Sequence, residues 1–398
     1  MNKYLLFTPG PVNVAENVRT AICKEDICHR EPDFDHLLRS IENKLLTLFE
    51  IQKTANYRAV VITGSGTAAN ESMLSSIVGN KNILILSNGE FGNRLCNISR
   101  IHNENTFLLE FAWGTTFDLE KIETYLKHHD IAVVAMVHHE TSSGMLNPIE
   151  QVGVLSKENG AMFVVDCVSS VGAEVIDMEK CHISFCSGSS SKAICSYSGL
   201  SFVVGKTEAF ENLKNLPVKT AYLNLFNYYD FINNFSQTPN TPAIHLFYAL
   251  EQALDNILSV GIPNYQAMVK TKANILRRGM SDLGLKFLID EREMCAVLTT
   301  VHVPTHINVT ILQKNLREKS IIIYEGKGCF KNKVFQVGNI GELSFSDIQF
   351  FLVSLKTVLL GFDWATIKRT AMPTARPKKT PVLTTIPSSA PLGAENGI

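Results

Sequence analysis

Apolar positions in this chain fall into short, dense runs between about residue 57 and residue 205. "AVVIT" (59–63), "NILILSN" (82–88), "TFLLEF" (106–111), "IAVVAMVHH" (131–139), "MFVVDCV" (162–168), "ISFCSG" (183–188) and "LSFVVG" (200–205) each have strand length. Between most of them lie polar–apolar segments of helical length, such as 118–129 and 148–159. Continuous apolar strands alternating with helices predict an α/β unit with a mainly parallel, seven-stranded sheet covered on both faces. Ligands of such sheets bind at the carboxyl ends of the strands. Further on, 241–284 reads as one or two long helices that join this large unit to a smaller α+β unit. There 296–303, 320–326 and 334–340 read as strands, and 307–318 and 344–359 as helices. The expected division is 1–285, 286–362 and a Pro/Thr/Ser-rich tail, 363–398, whose composition predicts disorder.

Composition narrows the function classes. The chain has 398 residues and is 45% hydrophobic, enough for a large core and more than one domain. Lys plus Arg (37) balances Asp plus Glu (38), so nothing points to a nucleic-acid surface. The apolar runs are strand-length, so no membrane span is expected. The opening "MNKYLLFTPGPVNVAENVR" has neither a signal-peptide nor a transit-peptide pattern. Nine cysteines occur without a C-x-x-C pair, and Cys167 and Cys186 lie in apolar runs. They read as free thiols in a reducing compartment, with no metal site expected, and a cytoplasmic location follows.

Three features sit at expected strand carboxyl ends. "TGSGTAANES" (63–72) leads from a strand into a helix, and its small residues leave backbone N–H groups free to meet an anion. It lacks the Gly-Lys-Ser/Thr ending of a phosphate-binding P-loop, and by itself reads as an ordinary glycine turn. Asp166 ends an otherwise apolar strand, where a carboxylate needs a partner. Lys192 stands among small residues in "FCSGSSSKAICSYSG" (185–199), between two buried runs. A partly desolvated lysine has a lowered pKa and becomes a nucleophile toward carbonyls. Each feature alone has an ordinary structural explanation. Together they suit pyridoxal 5′-phosphate, which has a phosphate, a ring nitrogen that wants a proton partner, and an aldehyde that condenses with lysine.

At these residues the chain resembles the fold-type I, class V aminotransferases, and most of all the 2-aminoethylphosphonate–pyruvate aminotransferases. The resemblance runs through "CHREPDFDHLL", "TGSGTAANE", "SNGEFGNR", "VHHETSSGMLNPI", "VVDCVSSVGA", "SSSKAI" and "VGNIGEL", covering about 5–343. It implies a pyridoxal-phosphate enzyme that exchanges an amino group between a small amine or amino acid and an oxo acid, typically pyruvate. Lys192 is implied as the Schiff-base lysine and as the general base that moves the α-proton. Asp166 is implied to bond the ring nitrogen, Phe91 to stack on the ring and Thr141 to lie near the ring hydroxyl. Ser65, Gly66 and Thr67 are implied to hold the phosphate, helped by Ser189 or Ser191. Thr241 is implied to reach the phosphate from a neighbouring subunit, so the active unit is implied to be a homodimer.

The resemblance breaks in two places. The family motif Phe-Arg-(Ile/Val)-Gly-x-(Ile/Met)-Gly reads "FQVGNIG" here, with Gln336 in place of the arginine that grips a substrate carboxylate. After Lys192 the relatives carry a Gly-rich, Pro-containing turn; here it is "AICSYSG", where Tyr197 could reshape the pocket mouth. One reading is a transaminase in which Arg30, Arg94 or another cation takes the acidic group, with Gln336 still at the substrate. The other is a lyase, decarboxylase or condensing enzyme that keeps the cofactor. A catalytically dead scaffold is disfavoured, because both Lys192 and Asp166 are present. The transaminase comes first.

Overall fold

The computed structural model describes residues 4–49, 51 and 56–371. A seven-stranded sheet forms the large unit, in the order Tyr57–Thr63, Leu200–Lys206, Ile183–Ser189, Met162–Asp166, Val133–Val137, Ile83–Ser87, Thr106–Glu110. All neighbours pair in parallel except Leu200–Lys206, which runs antiparallel to both of its partners. The central strands Ile83–Ser87 and Val133–Val137 are buried at every position, which is why they read as unbroken apolar runs. The expected strands and the helices at 118–129 and 148–159 form within about two residues of their expected ends. Because the sheet is mainly parallel, the segments that follow Thr63, Ser87, Val137, Asp166 and Ser189 all emerge at one edge. That edge carries the site.

The linker forms two helices, Ile244–Val260 and Ile262–Asp282, which meet at Gly261, with Pro263 in the first turn of the second. The smaller unit has an antiparallel sheet, Leu298–His302, Val334–Gly338 and Tyr324–Glu325, covered by Val309–Glu318 and the last helix. Its core also takes in residues far away in sequence. Leu5–Leu6 pairs in parallel with Ile321–Ile322, and the Phe7 ring stacks on Phe351 at 4.5 Å. Through this separate two-stranded pair Leu5 and Phe7 pack in the small unit's core, although the expected division groups them with 1–285.

The last helix spans Phe345–Ala371 and so runs past the boundary expected at 362; the rest of the expected tail, 372–398, lies outside the described residues. Phe345–Phe362 is long and apolar enough by composition to cross a membrane, with a mean hydropathy of 1.4, a length the strand-sized runs did not lead one to expect. Ile348, Phe351, Leu355 and Val358 recur at helical spacing and face the small unit's core, while Phe345, Phe350, Val353 and Leu360 on the same helix are exposed.

Candidate active site

The strand Met162–Asp166 delivers Asp166 to the sheet's carboxyl edge, buried to 4% exposure. Its carboxylate accepts from the Asn70 amide (2.6 Å) and from the Val168 N–H (2.8 Å). Asn70 accepts in turn from the Ser187 hydroxyl on the next strand, so the orientation of the acid is fixed from two directions. Burial pushes the Asp166 pKa up; the two hydrogen bonds, then the charges of Arg94 and Lys192, pull it back.

Lys192 follows the strand Ile183–Ser189 on a tight turn. Ser190 holds that turn through its hydroxyl on the Leu200 carbonyl (2.8 Å), and the Tyr265 hydroxyl donates to the Ala193 carbonyl. The Lys192 ammonium donates to the Pro9 carbonyl at 3.0 Å. Burial lowers its pKa to about 8; the charges of Lys327 and Arg94 act in the same direction, and Asp166 opposes them. Tyr197 packs against the large core instead of standing free at the mouth. A larger cavity of about 560 Å³ opens beside this turn, lined by Ile194, Cys195, Tyr265 and Lys272, and none of the expected site residues lines it.

The helix Gly66–Ile77 points its N-terminus at the same place. Ser65 stands in the cap position without a side-chain cap bond, so backbone N–H groups of the first turn are free for an anion. A Cβ on Gly66 would sit 2.7 Å from Val168 Cγ1, so this approach requires glycine. Ser189 lies beside Gly66, and its hydroxyl meets that of Ser191 at 3.2 Å. Gly66, Thr67, Phe91, Thr141 and Asp166 line one small cavity together with Asn70, Arg94 and His139.

Several of these groups carry no simple sequence signal. Glu140 is fully buried and accepts from the N–H groups of Phe91 (3.1 Å), Gly92 (3.0 Å) and Ser142 (3.0 Å), and from the Ser142 hydroxyl. A carboxylate so placed caps the helix Glu90–His102 and fixes Phe91. Burial raises its pKa and those bonds restrain the rise. His139 donates through Nδ1 to the Ser169 carbonyl (3.2 Å), while its buried Nε2 has no partner. Burial lowers its pKa to about 4, so the ring is neutral. Thr141 donates to the Ser169 hydroxyl at 2.9 Å. Asn70 lines the cavity from the second turn of the helix Gly66–Ile77, and Glu140 ends the short strand His139–Glu140 beside Thr141, positions next to the glycine turn and the strand end that could have found them.

Three expected site residues lie elsewhere in the chain. Arg30 donates to the Thr238 carbonyl (2.8 Å) and Gln237 (3.1 Å), holding the loop before the helix Ile244–Val260. Thr241 is exposed on that loop and does not line the cavity of its own chain. Gln336 is buried in the small-unit sheet at 1% exposure. Its Nε2 donates to the carbonyls of Thr141 (2.6 Å) and Ser142 (3.3 Å) and to the Thr300 hydroxyl (3.3 Å).

The donor set fits pyridoxal phosphate. An uncapped helix N-terminus ringed by hydroxyls suits a phosphate, a buried carboxylate suits a protonated ring nitrogen, and the orphaned His139 Nε2 marks a polar wall awaiting a partner.

Comparison with known proteins agrees with this geometry. The family model for class-V aminotransferases matches residues 21–346. The chain is 32% identical to an uncharacterised aminotransferase of Methanocaldococcus jannaschii, covering 91% of this chain and 94% of that protein. It is 31% identical to a 2-aminoethylphosphonate–pyruvate transaminase of Phocaeicola vulgatus, covering 90% and 99%. Its fold matches the ureidoglycine–glyoxylate aminotransferase of Bacillus subtilis with a TM-score of 0.85 at 26% identity, covering 91% and 94% of the two chains. With Lys192, Asp166 and an uncapped helix N-terminus gathered at one sheet edge and the family match running through both units, the chain belongs to the class-V aminotransferases, which are pyridoxal-phosphate enzymes.

Proposed function

We propose that this enzyme transfers the amino group of a small amine with an acidic end, 2-aminoethylphosphonate, to pyruvate. The observation that carries the reaction type is the Lys192 amine, held near Asp166 with its pKa lowered to about 8. At pH 7 about a tenth of such an amine is neutral, against a few parts in ten thousand at the ordinary lysine value. The substrate follows from similarity along nearly the whole chain to transaminases of that name.

When bound, pyridoxal phosphate supplies the electron sink that makes a proton beside the substrate amine removable. The protein's part is positioning and proton transfer. Lys192 Nζ takes the proton from the carbon bearing the amine and holds it as the ammonium for return. Asp166, aimed by Asn70, keeps the ring nitrogen protonated. Ser65, Gly66, Thr67 and Ser189 would bind the phosphate, and Phe91 and Thr141, which line the same cavity, would hold the ring. In this reading Thr241 of the partner subunit completes the phosphate site, and the enzyme works as a cytoplasmic homodimer. All nine cysteines are free, which suits a reducing compartment. Gln336 does not call for lyase or condensing chemistry, because its amide is a tie between the two units.

The test is a single-substrate half-reaction. The holoenzyme is mixed with 2-aminoethylphosphonate, then with alanine and other amines, without acceptor, while the visible band is followed. Conversion to the pyridoxamine form with release of phosphonoacetaldehyde is the expected result. Conversion by alanine alone would overturn the substrate, and a change with no pyridoxamine formed would overturn the reaction type. Equilibrium sedimentation tests the dimer: a monomeric, active holoenzyme would refute it.

A further inference from the structure

An acidic substrate needs a cation, and position 336 supplies none. Two other cations face the site. The Arg94 guanidinium lies 4.7 Å from the Phe91 ring centroid, one helical turn on, and Arg94 lines the cavity that holds Asp166 and Thr141. The Lys327 ammonium lies 5.2 Å from the same ring, reaching in from the small unit. Lys327 belongs to the loop between Tyr324–Glu325 and Val334–Gly338, and that loop is fastened. Trp113 meets Phe330 edge-on at 6.0 Å, and Gly328, at φ +51°, lies so close that a Cβ there would sit 2.6 Å from the Trp113 ring.

Lys327 is exposed, and among the described residues no carboxylate lies within 4 Å of its ammonium. The Arg94 guanidinium has a loose contact with Glu90 at 3.7 Å. A fastened loop thus holds an unpaired ammonium toward a guanidinium and the Lys192 amine, an arrangement of like charges that an arriving anion would relieve. The field of Lys327 also reaches Lys192, where it is the largest charge effect on that amine.

We propose that Lys327, with Arg94, forms the subsite that grips the phosphonate or carboxylate end of the substrate, from the small-unit loop instead of from position 336. This rests on the reading that the substrate carries an acidic end. The test uses the holoenzyme and methylphosphonate, an anion without an amine, with binding followed by calorimetry. Lys327→Met should weaken methylphosphonate binding about ten- to a hundredfold, the size of a lost charge-assisted contact. Lys327→Arg should restore most of it. In turnover the Lys327→Met effect should fall on KM more than on kcat, and the preference for 2-aminoethylphosphonate over 2-aminoethanol should shrink by the same factor. Equal methylphosphonate binding by wild type and Lys327→Met, or a preference that Lys327→Met leaves intact, would overturn the proposal. Lys327-dependent binding in an enzyme that turns over no acidic amine would leave the subsite standing and refute the proposed reaction.

Discussion

Replacing Gln336 by leucine separates a structural tie from a substrate grip. Leucine nearly preserves the volume, so the cavity term is small. What is lost is the amide N–H₂, which donates to Thr141 at 2.6 Å and to Ser142 and Thr300 at 3.3 Å. The two carbonyl acceptors also settle which end of the amide faces them, since only the nitrogen can donate. The short bond and two long ones together contribute about 1–2 kcal/mol net, and stripping the buried carbonyls of their donor adds about 1–3 kcal/mol. The expected loss is therefore about 2–5 kcal/mol in the opening of the 141–144 turn.

That turn has reporters of its own, the Ser143 and Gly144 amides, which donate to the Glu140 carbonyl at 3.2 and 2.8 Å. If local opening governs their exchange, Gln336→Leu should accelerate it roughly thirty- to several-thousandfold by hydrogen-exchange mass spectrometry. Amides in the buried strand Ile83–Ser87 should be unaffected. The KM for an acidic amine should change far less than it does in Lys327→Met. Unchanged exchange together with a tenfold or greater rise in KM would refute the reasoning and return Gln336 to the substrate.

Three further outcomes follow from the site. Labelling of Lys192 in the apoenzyme by trinitrobenzenesulfonate should reach half its maximal rate near pH 8, because burial and the charges of Lys327 and Arg94 favour the neutral amine; a midpoint at 10 or above would refute this. The same depressed pKa means the folded state binds fewer protons than the unfolded one between about pH 8 and 10.5, so this group makes stability rise with pH across that window. Glu140→Ala strips three backbone N–H groups and the Ser142 hydroxyl of their acceptor, and should destabilise the apoenzyme by more than about 3 kcal/mol in urea unfolding; a loss below about 1 kcal/mol would contradict its capping role. Gly66→Ala forces a methyl to 2.7 Å from Val168 Cγ1 and should weaken pyridoxal-phosphate binding about tenfold or more by equilibrium dialysis, an expectation that an unchanged Kd would defeat.

Much of this was readable because the chemistry sits where local pattern is strongest. A strand buried on both faces leaves an unbroken apolar run, so its carboxyl end, and with it Asp166, is placed to within a residue or two. Gly66 and Lys192 stand among small residues that would alone suit an ordinary turn, and only their order with Asp166 along strand ends singles them out. What the sequence does not show are contacts between distant segments. Arg30 resembles a free cation, yet its partners are backbone carbonyls two hundred residues away. Lys327 resembles a surface lysine because its loop is polar, and only the packing of Trp113 on Phe330 and Gly328 turns it toward Phe91. Leu5–Leu6 carries no sign that its partner strand begins at Ile321.

The segment 138–144 explains why a neutral residue can stand at 336. The His138 N–H donates to the Asp166 carbonyl, Glu140 caps the Phe91 helix, and Thr141 bonds Ser169. Toward the other unit, the Gly144 carbonyl accepts from the Cys295 N–H at 3.0 Å, and Thr141 and Ser142 accept from Gln336. One short stretch therefore sets Asp166, Phe91 and the seating of the small-unit sheet together. Its outward carbonyls need a donor from position 336 whether or not that donor is charged, and glutamine meets the need as well as arginine would. A charge there would be a different matter. Lys192 already lies in the field of Lys327 and Arg94, and an added cation would depress its amine further. Moving the anion grip to Lys327, on a loop of the same small unit, keeps the tie neutral while leaving a cation at the Phe91 face of the site.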